Sequence, residues 1–291
     1  MRVLVTGAAG QVGSEVAEEL ERRADRIRHG PRLEIFAATR STLEVTDRDA
    51  VVGLVTELEP DVIIHTAAFT AVDRCESEQG LAYASNAIGT RHIAEGARRI
   101  GAHLAYVSTD YVFDGRAAAP YNEWDETNPL SVYGRSKLAG ERELDPGSTI
   151  VRTSSVCGRS GQNMVKTVLK LAAGDGPLRF VDDQRSSPTI ASDLATVLAD
   201  LALARRPGIH HVTNAGAATW FEFARTVLGF AGGDPGRVEP IATSELDPPR
   251  PAPRPANSVL DNAAIRLLGM DPLPAWQEST EVLVASLVGT K

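Results

Sequence analysis

The chain has 291 residues, 43% of them hydrophobic, and a formal net charge of −8; it can bury a substantial core as one large domain or two closely packed ones. The acidic balance speaks against general affinity for nucleic acid or anionic membrane, and no apolar run is long enough to span a bilayer. Met1 to Val5 stops at Thr6-Gly7, too short for a signal peptide, and two cysteines, Cys75 and Cys157, are too few for a disulfide framework or a zinc cage, so a soluble cytoplasmic protein without a metal site is expected.

In chain order, Val3-Leu4-Val5 reads as a short strand ending at glycine, and Val12 to Arg23 as a helix with Val12, Val16 and Leu20 at four-residue spacing. Leu33 to Ala38 is strand-like. Ala50 to Leu58 is helical and stops before Pro60. Val62 to Ile64 is a third strand, Leu81 to Ile100 a long helix, Leu104 to Val107 a fourth strand, Tyr133 to Leu144 a helix and Thr149 to Val151 a fifth strand. Strands apolar on both faces, alternating with helices, imply a doubly wound parallel sheet of Rossmann type, covered on both sides. The second half is less regular. Asn163 to Ala173, Ser192 to Leu203 and Thr219 to Phe230 read as helices, Gly208 to Val212 as a strand, and Asp247 to Ala256 as a proline-rich extended segment. The expected architecture is a Rossmann domain over 1–153, to which a segment near 189–212 returns. A smaller C-terminal substrate-binding lobe is expected over 154–188 and 213–291.

Gly7-Ala8-Ala9-Gly10-Gln11-Val12-Gly13 links the first strand to the first helix. A pyrophosphate must approach backbone N–H groups at a helix N-terminus, and glycine leaves room for it. The spacing is G-x-x-G-x-x-G rather than the commoner G-x-G-x-x-G, and tight turns use glycine for φ freedom alone; its place in the first β–α turn carries the assignment. After the second strand, an acidic residue would hydrogen-bond a ribose 2′-hydroxyl and favour NAD. Arg40 stands there instead and suits a 2′-phosphate, so NADPH is favoured, with NADH kept open by the nearby Glu44.

Tyr133 and Lys137 are four residues apart, hence on one face of a helix. A phenol with a pKa of about 10 is a poor acid at neutral pH, and an ammonium beside it favours the phenolate. The pair follows a strand ending in Ser108-Thr109-Asp110, and strand C-terminal ends border the ligand crevice of open α/β sheets. Thr109 is therefore expected to hydrogen-bond a substrate carbonyl while Tyr133 protonates it. His65, at the end of a buried strand, reads as a packed residue, and Asp73, before Arg74, as a local cap or pair. Neither has the spacing of a metal or triad site.

The glycine loop, Asn86, Ser108-Thr109 and Tyr133/Lys137 resemble the extended short-chain dehydrogenase/reductase superfamily. Within it, several segments resemble the dTDP-4-dehydrorhamnose reductases: residues 65–73 (HTAAFTAVD), 108–115 (STDYVFDG), 181–184 with 187–189, and 254–258 (RPANS). The resemblance runs nearly end to end. It implies hydride delivery by NADPH to C4 of a nucleotide-linked 4-keto-6-deoxyhexose, with Tyr133 giving the proton, Lys137 holding the nicotinamide ribose and Thr109 orienting the carbonyl. Cofactor contacts are implied at Gly7, Gly10, Gln11, Val12 and Gly13, at Arg40, Glu44 and Val45, and at Ala67, Ala68 and Thr70. Sugar contacts are implied at Asp110, Tyr111 and Ser155. Arg179 and Arg254 are candidates for the substrate diphosphate, since a guanidinium fork suits phosphate oxygens. A homodimer is compatible with the resemblance.

One departure concerns Arg152-Thr153-Ser154-Ser155-Val156-Cys157-Gly158, where the family reads Arg-Thr-Ser-Trp-Val-Tyr-Gly. Serine cannot supply the apolar face of an indole. Either the sugar pocket is roomier and takes a different 4-ketosugar, or neighbouring side chains fill the gap. An epimerase or dehydratase on the same fold, and a non-catalytic NADP-binding regulatory subunit, are the competing functions.

Overall fold

The computed structural model describes residues 1–27 and 32–289. Its centre is a six-stranded parallel sheet built from β1 (Arg2–Thr6), β2 (Glu34–Ala38), β3 (Val62–His65), β4 (His103–Thr109), β5 (Thr149–Thr153) and the later strand Gly208–His211. The spatial order is Gly208–His211, β5, β4, β3, β1, β2. The chain thus leaves β1 on one side to form β2, then crosses to build β3, β4 and β5 on the other. That reversal opens a crevice above the C-terminal ends of β1 and β3. Register places Thr6 opposite both Ala38 and His65, and Thr109 opposite Thr153, so these residues share the edge facing the crevice.

Alternation along each strand divides the core in two. Val3, Val5, Val62 and Ile64 face Val16 and Leu20 of the helix Gln11–Arg26 and Leu194, Leu198 and Leu201 of the helix Ala191–Leu203. Leu4, Ile63 and Leu104 face the opposite way, against Val51 and Val55 of the helix Arg48–Leu58 and Ile93 and Ala97 of the helix Gly89–Ile100. Each such side chain, fully buried, contributes roughly 1.5–3 kcal/mol of transfer free energy. The helix expected from Ala50 starts at Arg48 because Asp47 caps it, accepting from the Asp49 and Ala50 amides.

The long helix expected over 81–100 is interrupted. Gln79–Tyr83 leads into a π turn, Ala84–Ile88, before Gly89–Ile100. The extra residue of the π turn brings Asn86 to the loop after β3, where its amide bonds the backbone of Phe69 on both sides, at 2.7 and 3.1 Å, and the Ser136 hydroxyl at 2.9 Å. π bulges of this kind recur at functional sites.

A second core joins Phe223, Val227 and Leu228 of the helix Trp220–Phe230 to Val165, Val168, Phe180, Trp276 and Leu283. The strands Leu178–Val181 and Val238–Ile241, paired in parallel, and the helix Trp276–Val288 complete it. The sequence reading contains none of these three elements. The buried stripe of the last helix is Trp276, Ser279, Thr280, Leu283 and Val284, and two hydroxyl residues in it blur the apolar period. The proline-rich stretch 247–256 forms no helix or strand but bends repeatedly rather than running extended, and its Ala252 amide donates to Asp73. Among the described residues no helix is long and apolar enough to cross a membrane.

Candidate active site

A cleft of about 760 Å³ opens along the C-terminal edge of the sheet. At one end lies the glycine loop. Gly7 has φ +70°, and a Cβ there would sit 2.6 Å from the Ala67 amide nitrogen; one on Gly13 would sit 2.3 Å from the Gly7 carbonyl oxygen. Both glycines are therefore required for the loop to fold this tightly. Gly10 precedes the helix Gln11–Arg26 without a side-chain cap, so the first-turn amides face the cleft unpaired, an arrangement that suits an anionic diphosphate. Gln11 lines the cleft, and its side chain donates to the Gln162 carbonyl and accepts from Asn163, tying the 158–163 loop to the phosphate loop.

Arg40, Glu44 and Val45 line the same end. The Arg40 Nε donates to Glu44 at 2.9 Å while the rest of its guanidinium reaches solvent. Burial works to raise the Glu44 carboxyl, but the Thr46 amide and Arg40 outweigh it and hold the group below its usual value. Arg40 is thereby held at this end of the cleft, with the Thr39, Ser41 and Thr42 hydroxyls hydrogen-bonded beside it. Ala67, Ala68 and Thr70, with Thr66 and Phe69, form the wall after β3. A dinucleotide fits these residues: a glycine cradle too close for any Cβ, a helix N-terminus, and a cation beyond it.

The other end holds Thr109, Asp110, Tyr111, Tyr133 and Lys137. Ser131 caps the helix Val132–Glu141, accepting from the Gly134 amide at 3.1 Å, and so fixes the turn carrying Tyr133. Gly134 is needed because a Cβ there would lie 2.1 Å from the Tyr111 carbonyl. Lys137 is buried. Its Nζ donates to the Val107 carbonyl at 2.7 Å and stands 4.0 Å from the centre of the Tyr106 ring. Burial pushes its ammonium down to about 7, opposed by Glu141. Tyr133 is shifted up, chiefly by burial, with the Thr109 side chain pulling the other way. Lys137 Nζ is directed at Val107 and Tyr106 rather than at the Tyr133 phenol.

Behind this group a buried pair braces β4 and β5. Arg152 donates twice to Glu141, at 2.9 and 2.7 Å, and Glu141 also accepts from Ser108 at 2.5 Å. Beyond Tyr111 the cleft reaches Ser155, whose φ is +48° and whose hydroxyl lies 2.7 Å from that of Ser186. Trp220 stands beside them on the cleft wall.

The model of the RmlD substrate binding domain matches residues 1–288. The chain belongs to this family. A dTDP-4-dehydrorhamnose reductase of Streptomyces griseus is 40% identical over 297 residues, covering 99% of this chain and 94% of its own. A probable dTDP-4,6-dihydroxy-2-methyloxan-3-one 4-ketoreductase of Streptomyces antibioticus is 39% identical, covering 96% and 93%. The solved dTDP-4-dehydrorhamnose reductase of Bacillus anthracis str. Ames, in complex with NADP, has a TM-score of 0.91 at 36% identity, covering 98% of this chain and 99% of that one.

Three expectations change in this RmlD-family chain. Asp73 pairs not locally but with Arg254, by a fork of 2.6 and 2.8 Å, and it also accepts from the Ala252 amide. Arg254, expected at the diphosphate, spends both terminal nitrogens on Asp73 and one also on the Ala252 carbonyl, with Tyr111 alongside. Its role here is to pin the proline-rich segment across the loop after β3. Arg179 pairs with Glu239 on the exposed strand pair of the second core, and it does not line the cleft. His65 is fully buried between Thr6 and Thr90, at 2.7 and 3.2 Å, and burial together with Lys137 lowers it to about 3. Cys157 is buried and its thiol raised to about 11 by that burial, as befits a small core residue. Trp220 and Gln162 line the cleft without having been singled out. Both come from the second half, where no local pattern points back to the sheet.

Proposed function

We propose that this protein uses NADPH to reduce the C4 ketone of a nucleotide-linked 4-keto-6-deoxyhexose, with dTDP-4-dehydro-L-rhamnose as the first substrate to test and dTDP-L-rhamnose as its product. One observation carries the reading. A single cleft holds the glycine cradle and Arg40 at one end and Thr109, Tyr133 and Lys137 at the other, in a chain of the RmlD family whose relatives bear that activity in their names.

NADPH, when bound, supplies the hydride. The chain's own residues do the rest. The first-turn amides and glycines take the diphosphate, and Arg40 takes the 2′-phosphate that distinguishes NADPH from NADH. Lys137, at the same end of the cleft as Tyr133, is the residue that would hold the nicotinamide ribose. Tyr133, protonated at neutral pH because burial raises its phenol, gives its proton to the oxygen as the C4 alkoxide develops.

A second reading has its own observation. Ser155 presents a hydroxyl, bonded to Ser186, where the resemblance calls for an indole, and a named 4-ketoreductase is nearly as similar as the rhamnose enzymes. Loss of reduced-nicotinamide absorbance with dTDP-4-dehydro-L-rhamnose decides between the two. Brisk turnover supports the rhamnose assignment. Turnover only with another dTDP-4-ketosugar supports the second reading, and no turnover with any refutes both. Tyr133→Phe should abolish turnover and leave NADPH binding within about twofold.

A further inference from the structure

The two hydroxyls that meet the carbonyl in this reading are not free to act alike, because a third group claims one of their hydrogens. A threonine hydroxyl has one hydrogen and two lone pairs. The Thr109 Oγ1 lies 3.0 Å from an Asp110 carboxyl oxygen, to which it donates, and accepts from the Tyr111 amide at 3.2 Å. Its hydrogen and one lone pair are thereby used. Tyr133 is a further hydrogen-bond partner of this hydroxyl, and while the hydrogen stays on Asp110 only a lone pair is left to meet a carbonyl oxygen. In this arrangement Thr109 cannot donate to the substrate. If Asp110 carries a proton, the direction reverses: the acid O–H donates to Thr109, and the threonine hydrogen is released toward the cleft.

We propose that Asp110 is a positioning residue whose protonation decides whether Thr109 can donate a hydrogen bond to the carbonyl oxygen held beside Tyr133. The inference rests on the reading that Thr109 and Tyr133 meet that carbonyl. It replaces the expectation that Asp110 touches the sugar directly.

The surroundings of Asp110 are built for this. The residue is 2% exposed. Its second oxygen accepts from the Ser154 hydroxyl at 2.7 Å, and Ser258 approaches from the C-terminal segment. The groups that steady the carboxyl are hydroxyls and its own turn's backbone, not cations. Tyr133 faces it from the helix Val132–Glu141, and Tyr111 from its own turn. Arg254 and Arg250, beyond Tyr111, act on that ring, and Arg254 is already paired with Asp73. Lys137 is bonded to Val107. Burial accordingly pushes Asp110 up to about 6, with the three hydroxyls opposing. Both protonation states are therefore accessible near neutrality, and a sugar closing the cleft would favour the neutral one further.

The test is the pH dependence of kcat/KM for dTDP-4-dehydro-L-rhamnose at saturating NADPH. In the wild type, activity should fall as pH rises in two overlapping steps, one from Asp110 and one from Lys137, reaching a slope steeper than about tenfold per pH unit. In Asp110→Asn the amide donates to Thr109 at every pH, so only the Lys137 step should remain. In Asp110→Ala nothing orients Thr109, and kcat should fall at least about tenfold below that of Asp110→Asn, with NADPH affinity within about twofold. Should Asp110→Asn fail to fold, Thr109→Val, which removes the hydroxyl, must also lose the first step. A two-step profile that persists in Asp110→Asn or Thr109→Val overturns the proposal. So do equal kcat losses in the Asn and Ala variants, the result a merely structural role would give. Tyr133→Phe separates this from the reading beneath it: full activity there refutes the reductase mechanism, whereas an inactive Tyr133→Phe with an unchanged Asp110→Asn profile refutes only the role of Asp110.

Discussion

Glu141→Gln should damage both stability and the pH range of activity, for one physical reason. Glu141 and Arg152 have side chains only 6% and 3% exposed. Arg152 donates two hydrogen bonds to the carboxylate, and Ser108 adds a third at the C-terminal end of β4. Removing the charge while keeping the shape leaves a buried guanidinium without its counter-ion. Breaking a buried pair from one side costs about 3–5 kcal/mol, a large share of the roughly 5–15 kcal/mol of a typical fold. At about 2–4 °C per kcal/mol for a chain of this order of size, the melting temperature should drop by roughly 6–20 °C. Glu141 is also the charge that opposes the lowering of Lys137 from its burial. The ammonium should therefore deprotonate at lower pH in the variant, and the alkaline fall of kcat/KM should begin earlier. Thermal unfolding followed by circular dichroism, with a pH–rate profile on the same preparation, measures both. Glu141→Leu with Arg152→Met, which removes both charges, should recover most of the stability but not the pH shift. A Glu141→Gln melting point within about 1 °C of wild type would refute the reasoning.

Arg40→Asp should lower the preference for NADPH over NADH by roughly 10- to 100-fold, the worth of one charge-assisted contact of about 1.5–3 kcal/mol; an unchanged ratio of kcat/KM values removes Arg40 from the 2′-phosphate site. Ser155→Trp places an indole in a recess already walled by Trp220, Tyr111 and Ser186. It should raise KM for the sugar nucleotide at least about tenfold with KM for NADPH unchanged, and a lowered KM would mean that Trp220 does not fill that space. Stability should fall on acidification. His65 and His211 are both lowered to about 3 by burial, so below about pH 6.5 the unfolded chain binds protons that the folded chain refuses. Each costs roughly 2 kcal/mol by pH 5. Asp110, raised to about 6, has the opposite sign and returns about 1 kcal/mol. The net loss between pH 7 and 5 is roughly 2–3 kcal/mol, readable from urea unfolding, and equal stabilities at the two pH values would contradict it.

The sheet was legible because its residues obey one local rule. Val3, Leu4 and Val5, and Val62, Ile63 and Ile64, are fully buried, and an apolar triplet closed by glycine or preceded by a helix-stopping proline needs no distant information to be read as a central strand. The strand at 208–211 was expected as well, although Gly-Ile-His-His holds no such triplet. Leu178–Val181 and Val238–Ile241 were not, because each has one exposed flank: Arg179 and Glu239 lie outside and pair with each other across 60 residues. Their signal is in the pairing rather than in either segment. The π turn at 84–88 is likewise set by what Asn86 must reach, the Phe69 backbone and Ser136, while the apolar spacing on either side is that of an ordinary helix.

Residue identity in the candidate site was legible, and charge balance was not. Thr109, Tyr133 and Lys137 are recognisable by spacing and by their place after a strand, and the structure brings them to one cleft. The local pairing expected of Asp73 failed, since it was read alone and its partner is Arg254 at a separation of 181 residues. What else an arginine near a diphosphate binder holds depends on contacts no local pattern encodes. The same holds for Thr109. Its type and position suggest a donor to the substrate, yet the hydrogen it would donate is already directed to Asp110. A sequence supplies the groups with donors and acceptors; the fold decides which of those have been used before the substrate arrives, and for this cleft the deciding group is the carboxyl buried behind the threonine.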